Sequence, residues 1–164
     1  MLLDRTRFRF GLTSKIDYRN YEQPHAYNRG DHSIIIATKQ RARKILPNPN
    51  LLPVNWGNIA QAKPTKTDKL LICGSGYFFP TATGELPKRI ANDLKEIKES
   101  GAELHLLGTG FNYLLRWPAL KLNPDAKNTL QEYLKLSTTI TVRDHNTKQF
   151  LQDFTPKDIR IIGD

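Results

Sequence analysis

The second half of the chain alternates short apolar runs with stretches of helical periodicity, and this alternation constrains the fold more than any other feature. The run KLLIC at Lys69–Cys73 carries four consecutive apolar residues, and Thr139–Val142 is β-branched throughout. Short continuous runs of this kind are typical of strands buried in a parallel sheet. Two further strands are predicted at Glu103–Leu107 and Asp158–Ile162.

The segments between these strands predict helices. Ile90, Leu94 and Ile97 recur at helical spacing within Pro87–Ser100, and Gly101 follows at the position of a C-terminal cap. Strands that alternate with helices in this way require right-handed crossovers and a parallel sheet. Two other helices are predicted in this half. One opens at Asn123 and Pro124, and a short one covers His145–Asp153.

The first half of the chain is less regular. A strand is predicted at Phe8–Leu12, followed by a long polar loop over Thr13–Arg29 and a helix over Ser33–Leu46. Residues 47–67 contain several prolines and predict an irregular connection with at most one short strand. We therefore expect a doubly wound α/β domain, preceded by a basic strand and loop over residues 1–26.

Composition restricts the function classes. The 164 residues carry a net charge of +9, which favours anionic partners such as nucleic acid, an acidic membrane surface or a phosphorylated small molecule. No apolar segment is long enough to span a bilayer or to act as a secretory signal, so we expect a cytoplasmic protein. The basic cluster Lys39, Arg41, Arg43 and Lys44 reads as a solvated helix face near a helix C-terminus or as a nucleic-acid contact, and we favour the first reading.

Small and polar residues follow each predicted strand or precede the first helix. In doubly wound sheets, ligands bind outside the carboxyl ends of the strands, so these groups are predicted to share one edge. The glycines leave backbone N–H groups for an anion, and a guanidinium beside them suits a carboxylate or a phosphate. The groups are Asn28, Gly30 and Asp31; Gly74, Ser75 and Gly76; Gly108 and Gly110; Arg143 and Asp144; and Gly163 and Asp164.

Each group also has a structural interpretation. Neither Gly-x-Gly turn continues into a dinucleotide fingerprint, because the third glycine would fall at Phe79 or Tyr113. Asp31 and Asp144 are candidates for helix N-caps as much as for ligand contacts. Arg143 is harder to explain structurally, since a cation after an apolar strand is costly unless it is paired or exposed in a cleft.

The histidines and the single cysteine give no metal or nucleophile signature. No pair of histidines has the spacing of a metal site, and neither a P-loop nor a nucleophile elbow is present. Cys73 ends a predicted buried strand and is interpreted as an inert core thiol. We therefore predict no metal and no cofactor.

Taken in chain order, four segments resemble the polysaccharide pyruvyl transferase family. They are YNRGDHSII at residues 27–35, DKLLICGSGYFF at residues 68–79, LHLLGTGF at residues 104–111 and ITVRDHNTKQFL at residues 140–151. IRIIGD at the end of the chain resembles the family's strand into Gly-Asp, which there usually continues with a proline. The resemblance covers nearly the whole chain from Tyr27, and it implies a Rossmann-like domain over residues 27–164.

The resemblance implies transfer of a pyruvyl group from phosphoenolpyruvate to a sugar hydroxyl of a cell-surface glycan or its precursor, with release of phosphate. Such an enzyme must hold a trianionic donor, protonate its methylene carbon and stabilise an oxocarbenium-like centre. Arg143 matches the family's arginine and would bind the donor carboxylate or phosphate. The glycine turns would offer N–H groups, and Asp31 would either orient the acceptor or only cap the helix.

Family members are about twice as long and have two Rossmann-like halves in a glycosyltransferase-B-like arrangement. The second half carries an Arg-x-His type motif with further donor contacts and a general acid. We therefore expect this chain to match the amino-terminal half and to need a second domain or a partner chain for catalysis.

Two other function classes remain open at this stage. A non-catalytic α/β module that binds anions or glycans would keep the edge site without the chemistry. Binding to nucleic acid would show affinity that falls steeply with salt, and no sequence-specific nucleic-acid contact is predicted. The expected partners are phosphoenolpyruvate and a glycan acceptor, with peripheral membrane contact if that acceptor is lipid-linked.

Overall fold

A computed structural model describes residues 7–12, 29–46, 50–55, 59–74, 76–81, 83–111 and 121–162 of the 164. These residues form an α/β fold in which strands and helices alternate. Six strands, four α-helices and a 3₁₀-helix occur within this part of the chain. In chain order the elements are β1 (Arg7–Leu12), α1 (Arg29–Ile45), β2 (Asn50–Asn55), the 3₁₀-helix (Ile59–Ala62), β3 (Lys69–Cys73), α2 (Lys88–Ser100), β4 (Glu103–Thr109), α3 (Pro124–Leu136), β5 (Ser137–Val142), α4 (His145–Gln152) and β6 (Arg160–Ile161).

All neighbouring strands of the sheet are parallel, as the alternation of strands and helices predicts. The strand order is β2-β1-β3-β4-β5-β6. The chain steps from β1 to β2 in one direction and then crosses back past β1 to β3, so the winding direction reverses between β1 and β3. A reversal of this kind leaves a crevice at the carboxyl ends of the two strands beside it.

Helices cover both faces of the sheet, because β3 is apolar on both of its sides. Leu70 and Ile72 point into the main core with α2, α3 and α4. Leu71 and Cys73 point to the opposite face, where they pack with Ile34 of α1. The main core also contains Ile90, Leu94, Ile97, Leu104, Leu106, Leu130, Leu134, Ile140, Val142 and Leu151.

Local signals in the sequence set most helix ends. Gly101 ends α2 in the left-handed conformation, with φ of +65°, and its N–H donates to the Ile97 carbonyl over 3.2 Å. The Asn123 side chain accepts a hydrogen bond from the Ala126 N–H at the start of α3, over 2.8 Å, and Pro124 takes the first helical position. Both helices therefore end and begin where the sequence predicts.

Several predicted boundaries are wrong. Strand β5 begins at Ser137 and not at Thr139, and β6 covers only Arg160–Ile161 of the predicted Asp158–Ile162. Helix α1 begins at Arg29 and not at Ser33, so Gly30 and Asp31 lie in its first turn and not ahead of it. A carboxylate in the first turn of a helix suits the positive end of the dipole. Strand β4 continues past Leu107 to Thr109 and therefore includes Gly108.

A buried polar cluster anchors the segment that follows β3. The Tyr77 hydroxyl lies 3.1 Å from Oδ2 of Asp93 and 2.8 Å from the Tyr133 hydroxyl, which donates to the Ile90 carbonyl. Burial raises the pKa of both tyrosines well above the ordinary value, so both hydroxyls stay protonated. The aromatic residues after Gly74-Ser75-Gly76 are thus part of the core.

Helix length and hydropathy within the described residues give no candidate for a membrane-spanning segment.

Candidate functional site

The carboxyl ends of β4 and β5 bring three of the predicted site residues into direct contact. Arg143 follows β5 directly, and its Nε lies 3.2 Å from Oδ2 of Asp144. A Cβ atom at Gly110 would lie 2.4 Å from Nε and 2.6 Å from Cζ of Arg143, so the arginine side chain packs against this glycine. The Arg143 side chain is 29% exposed, so it is only partly buried at this edge of the sheet.

Asp144 both caps α4 and pairs with Arg143. Its Oδ1 accepts a hydrogen bond of 2.7 Å from the Thr147 N–H, which confirms the predicted N-cap. Burial alone would raise the pKa of the Asp144 carboxyl, but hydrogen bonds from Thr147 and Arg143 outweigh burial and lower it. Asp144 is therefore ionised near neutral pH, and its negative charge holds Arg143 in place.

Glycine at position 108 permits an irregularity in β4. Gly108 has a φ of +63°, and the pairing of β4 with β5 shifts register between Leu106 and Thr109. The Thr141 hydroxyl spans this irregularity, since it donates to the Leu106 carbonyl over 3.2 Å and accepts from the Gly108 N–H over 2.9 Å. The bulge sets the direction of the backbone that leads into Gly110.

The turn after β3 lies against the amino-terminal part of α1. Gly74 has a φ of +58°, and a Cβ atom there would lie 2.7 Å from side-chain atoms of Ile34. Its N–H donates to the Leu107 carbonyl over 2.7 Å. The N–H groups of Gly74 and Gly108 are therefore used within the protein and are not backbone donors for an anion.

The remaining predicted residues fall in two groups. Gly30 and Asp31 lie in the first turn of α1, but the placement of the Asp31 side chain is outside the described residues. Asn28, Ser75, and the Gly163-Asp164 pair are also outside them. That these residues share the edge of the sheet with Arg143 stays a prediction.

Cys73 is buried, and its burial raises the pKa of the thiol to about 12, which confirms the prediction of an inert core thiol. The described residues contain no group of three or more His, Cys, Asp or Glu side chains that would hold a metal ion.

Lys39, Arg41, Arg43 and Lys44 occupy the second half of α1, and the last three are exposed. Burial and the nearby charge of Arg43 lower the pKa of Lys39. These positions agree with the reading of a helix face near its C-terminus.

A depression of about 320 Å³ lies at the amino end of β5, away from Arg143. The Lys157 ammonium in this depression donates to the carbonyls of Lys135 and Ser137, over 2.6 and 2.7 Å, and so caps the end of α3. We assign no ligand to it. Its lining residues are Thr138, Thr139, Ile140, Lys157, Asp158 and Arg160.

Sequence reasoning missed two threonines that shape the edge. Thr141 supports the bulge at Gly108, and Thr147 bonds both Asp144 and the Phe111 N–H. The Asp-x-x-Thr spacing is a sequence signal for Thr147, since the third residue of a helix donates its N–H to the N-cap. No sequence signal distinguishes Thr141 from any other threonine in a strand.

The fold and the edge site define a parallel α/β protein in which the Asp144 carboxylate holds the Arg143 guanidinium at the carboxyl ends of adjacent strands. A family model described as polysaccharide pyruvyl transferase matches residues 28–164. The chain therefore belongs to the polysaccharide pyruvyl transferase family. Comparison with curated proteins and with solved structures gives no significant match.

Proposed function

We propose that this chain provides the donor-binding half of a pyruvyl transferase, which moves the pyruvyl group of phosphoenolpyruvate to a sugar hydroxyl of a cell-surface glycan or its precursor. The proposal rests on one observation above all, the guanidinium of Arg143 held between the Asp144 carboxylate and Gly110. Family membership over residues 28–164 agrees with it.

Binding of phosphoenolpyruvate requires a positively charged side chain in a fixed position. Phosphoenolpyruvate carries a carboxylate and a phosphate, and an arginine binds either group through two parallel hydrogen bonds. The bond from Nε of Arg143 to Oδ2 of Asp144, over 3.2 Å, fixes one side of the guanidinium at the edge of the sheet. A cation fixed by the fold binds the anion without the entropy cost of ordering a flexible side chain.

During transfer, the donor methylene carbon takes up a proton, a sugar hydroxyl attacks the adjacent carbon, and phosphate leaves. Ketal formation uses a second hydroxyl of the same sugar. Arg143 would stabilise the negative charge of the donor carboxylate or of the leaving phosphate. Asp31 would orient the acceptor from the first turn of α1.

The architecture that we propose is a Rossmann-like, doubly wound half of a glycosyltransferase-B-like protein. The general acid would come from a second domain or a partner chain, so this chain alone should turn over phosphoenolpyruvate far more slowly than a complete enzyme. A lipid-linked acceptor would add peripheral membrane contact.

Calorimetric titration with phosphoenolpyruvate at moderate salt tests the donor site. We expect Arg143→Ala to weaken binding by about 10- to 100-fold, because a hydrogen-bonded charge pair is lost. Arg143→Lys should recover part of the affinity, since lysine keeps the charge but not the fork. Arg160→Ala is the charge-matched control, because the Arg160 side chain is exposed in β6 and its Nε pairs with Asp158.

Equal weakening by Arg143→Ala and Arg160→Ala would show that binding follows net charge alone. Failure of the unmodified chain to bind phosphoenolpyruvate would contradict a donor site on this half. Glycan binding without any donor effect would favour the non-catalytic module that binds anions or glycans.

A further inference from the structure

A continuous chain of hydrogen bonds joins the backbone after β4 to the Arg143 guanidinium. The Phe111 N–H donates to Oγ1 of Thr147 over 3.1 Å, and the Thr147 hydroxyl donates to Oδ2 of Asp144 over 2.9 Å. The same Oδ2 accepts from Nε of Arg143 over 3.2 Å. One threonine hydroxyl therefore connects the two strand ends that form the candidate site.

The Thr147 hydroxyl does more than a helix cap requires. An N-cap needs one side-chain oxygen to accept one backbone N–H, and Oδ1 of Asp144 does this with the Thr147 N–H over 2.7 Å. The hydroxyl bond to Oδ2 is additional. Because Asp144 is ionised, both of its oxygens only accept, so the single proton of the hydroxyl is directed at Oδ2. The lone pairs of the hydroxyl are then left for the Phe111 N–H.

The backbone at Gly110 is held on both sides as a result. The Thr109 carbonyl accepts from the Arg143 N–H over 3.4 Å, and the Phe111 N–H is held by Thr147. Phe111 is 3% exposed and Thr147 is 1% exposed, so this anchor is dry. Gly110 lies between the two anchors and is the residue against which the guanidinium packs.

We propose that Thr147 is a positioning residue, whose hydroxyl sets the orientation of the Arg143 guanidinium relative to the Gly110 backbone through Asp144 and Phe111. The identity of the bound anion rests on the proposed function, whereas the orientation of Arg143 does not.

Two substitutions separate the hydroxyl from the rest of the residue. Thr147→Val keeps the shape and removes the hydroxyl, and Thr147→Ser keeps the hydroxyl and removes the methyl group. Asp144→Asn breaks the next bond along the chain, because asparagine still caps the helix but offers an amide group in place of Oδ2, the direct partner of Nε of Arg143. Ser137→Ala is the matched control, since Ser137 is buried and its hydroxyl donates to the Tyr133 carbonyl at the other edge of the sheet.

The primary readout is hydrogen exchange of the Arg143 Nε–H, followed by NMR on the nitrogen-15-labelled chain. We expect Thr147→Val and Asp144→Asn to accelerate this exchange roughly tenfold, as for the loss of one hydrogen bond of ordinary strength. Thr147→Ser and Ser137→Ala should leave it unchanged. In calorimetry with phosphoenolpyruvate, Thr147→Val should weaken binding by a similar factor, and Thr147→Ser should restore it.

Unchanged Nε–H exchange in Thr147→Val would overturn the proposal, whatever Asp144→Asn shows, and so would equal acceleration in Ser137→Ala. If the unmodified chain binds no phosphoenolpyruvate, the proposed function fails, and the exchange experiment still decides the role of Thr147. If Thr147→Val does not fold, Thr147→Ala removes the same hydroxyl and decides it.

Discussion

Replacement of Gly110 by alanine should move Arg143 without a change in charge. The new Cβ atom would lie 2.4 Å from Nε and 2.6 Å from Cζ, whereas ordinary van der Waals contact begins at 3.4 Å. The guanidinium must therefore shift by about 1 Å. Gly110 does not have a positive φ, so the backbone accepts alanine without strain and the arginine side chain is what yields.

A shift of this size is large compared with the tolerance of a hydrogen bond. Hydrogen bonds to charged groups contribute about 1.5–3 kcal/mol, so their loss should weaken donor binding by about 10- to 150-fold. The free energy of unfolding should change by less than ~1 kcal/mol, because alanine restricts the unfolded chain and offsets the repacking of one partly exposed side chain.

Calorimetry with phosphoenolpyruvate measures the first effect, and chemical denaturation measures the second. The double variant with Arg143→Ala is the control, because Gly110→Ala should have no further effect once the arginine is gone. Undiminished affinity in Gly110→Ala, or an additional loss in the double variant, would refute the reasoning.

Two other predictions concern the same edge. Gly108→Ala and Gly101→Ala should each lower the free energy of unfolding by about 1–2 kcal/mol, because both glycines have a positive φ, but only Gly108→Ala should weaken donor binding; an affinity loss in Gly101→Ala would contradict a local effect of the bulge. Hydrogen bonds from Thr147 and Arg143 outweigh burial and hold the pKa of Asp144 below its reference value of 3.8, so the unfolded chain takes up this proton first as the pH falls. The contribution of ionised Asp144 to the free energy of unfolding is complete above pH 3.8 and is lost as the pH falls through the lower pKa of the folded state. In denaturation experiments at acidic pH, Asp144→Asn should therefore make the free energy of unfolding fall less steeply with decreasing pH. An unaltered pH dependence in this variant would contradict the lowered pKa of Asp144.

Sequence patterns predicted the strands and helices best where each signal is local. The run KLLIC at Lys69–Cys73 was bounded correctly, because four consecutive apolar residues have no other stable place in an α/β fold. Asn123 and Gly101 also marked helix ends correctly, because the hydrogen bonds of a helix cap are made within one turn of the chain. The start of α1 was predicted at Ser33, four residues after its observed start at Arg29, because a glycine and an aspartate in a first turn resemble a preceding loop.

The sequence predicted which residues lie at the candidate site but not the hydrogen bonds that they make. The sequence placed Arg143, Asp144 and Gly110 after strands, and the parallel topology then requires those strand ends to share an edge. The sequence did not show that Gly74 and Gly108 use their own N–H groups within the fold, because the acceptors, Leu107 and Thr141, come from neighbouring strands.

The amino-acid sequence by itself determined the class of fold, the carboxyl edge of the sheet as the place of the candidate site, and the family. These follow from periodicity and from short motifs, which are properties of contiguous residues. Only the tertiary structure decided which residues hold Arg143. The bond from Phe111 to Thr147 joins residues 36 positions apart, and the packing of Arg143 on Gly110 joins two different strands. Contacts of this kind depend on strand register and on a bulge, and no local pattern encodes either.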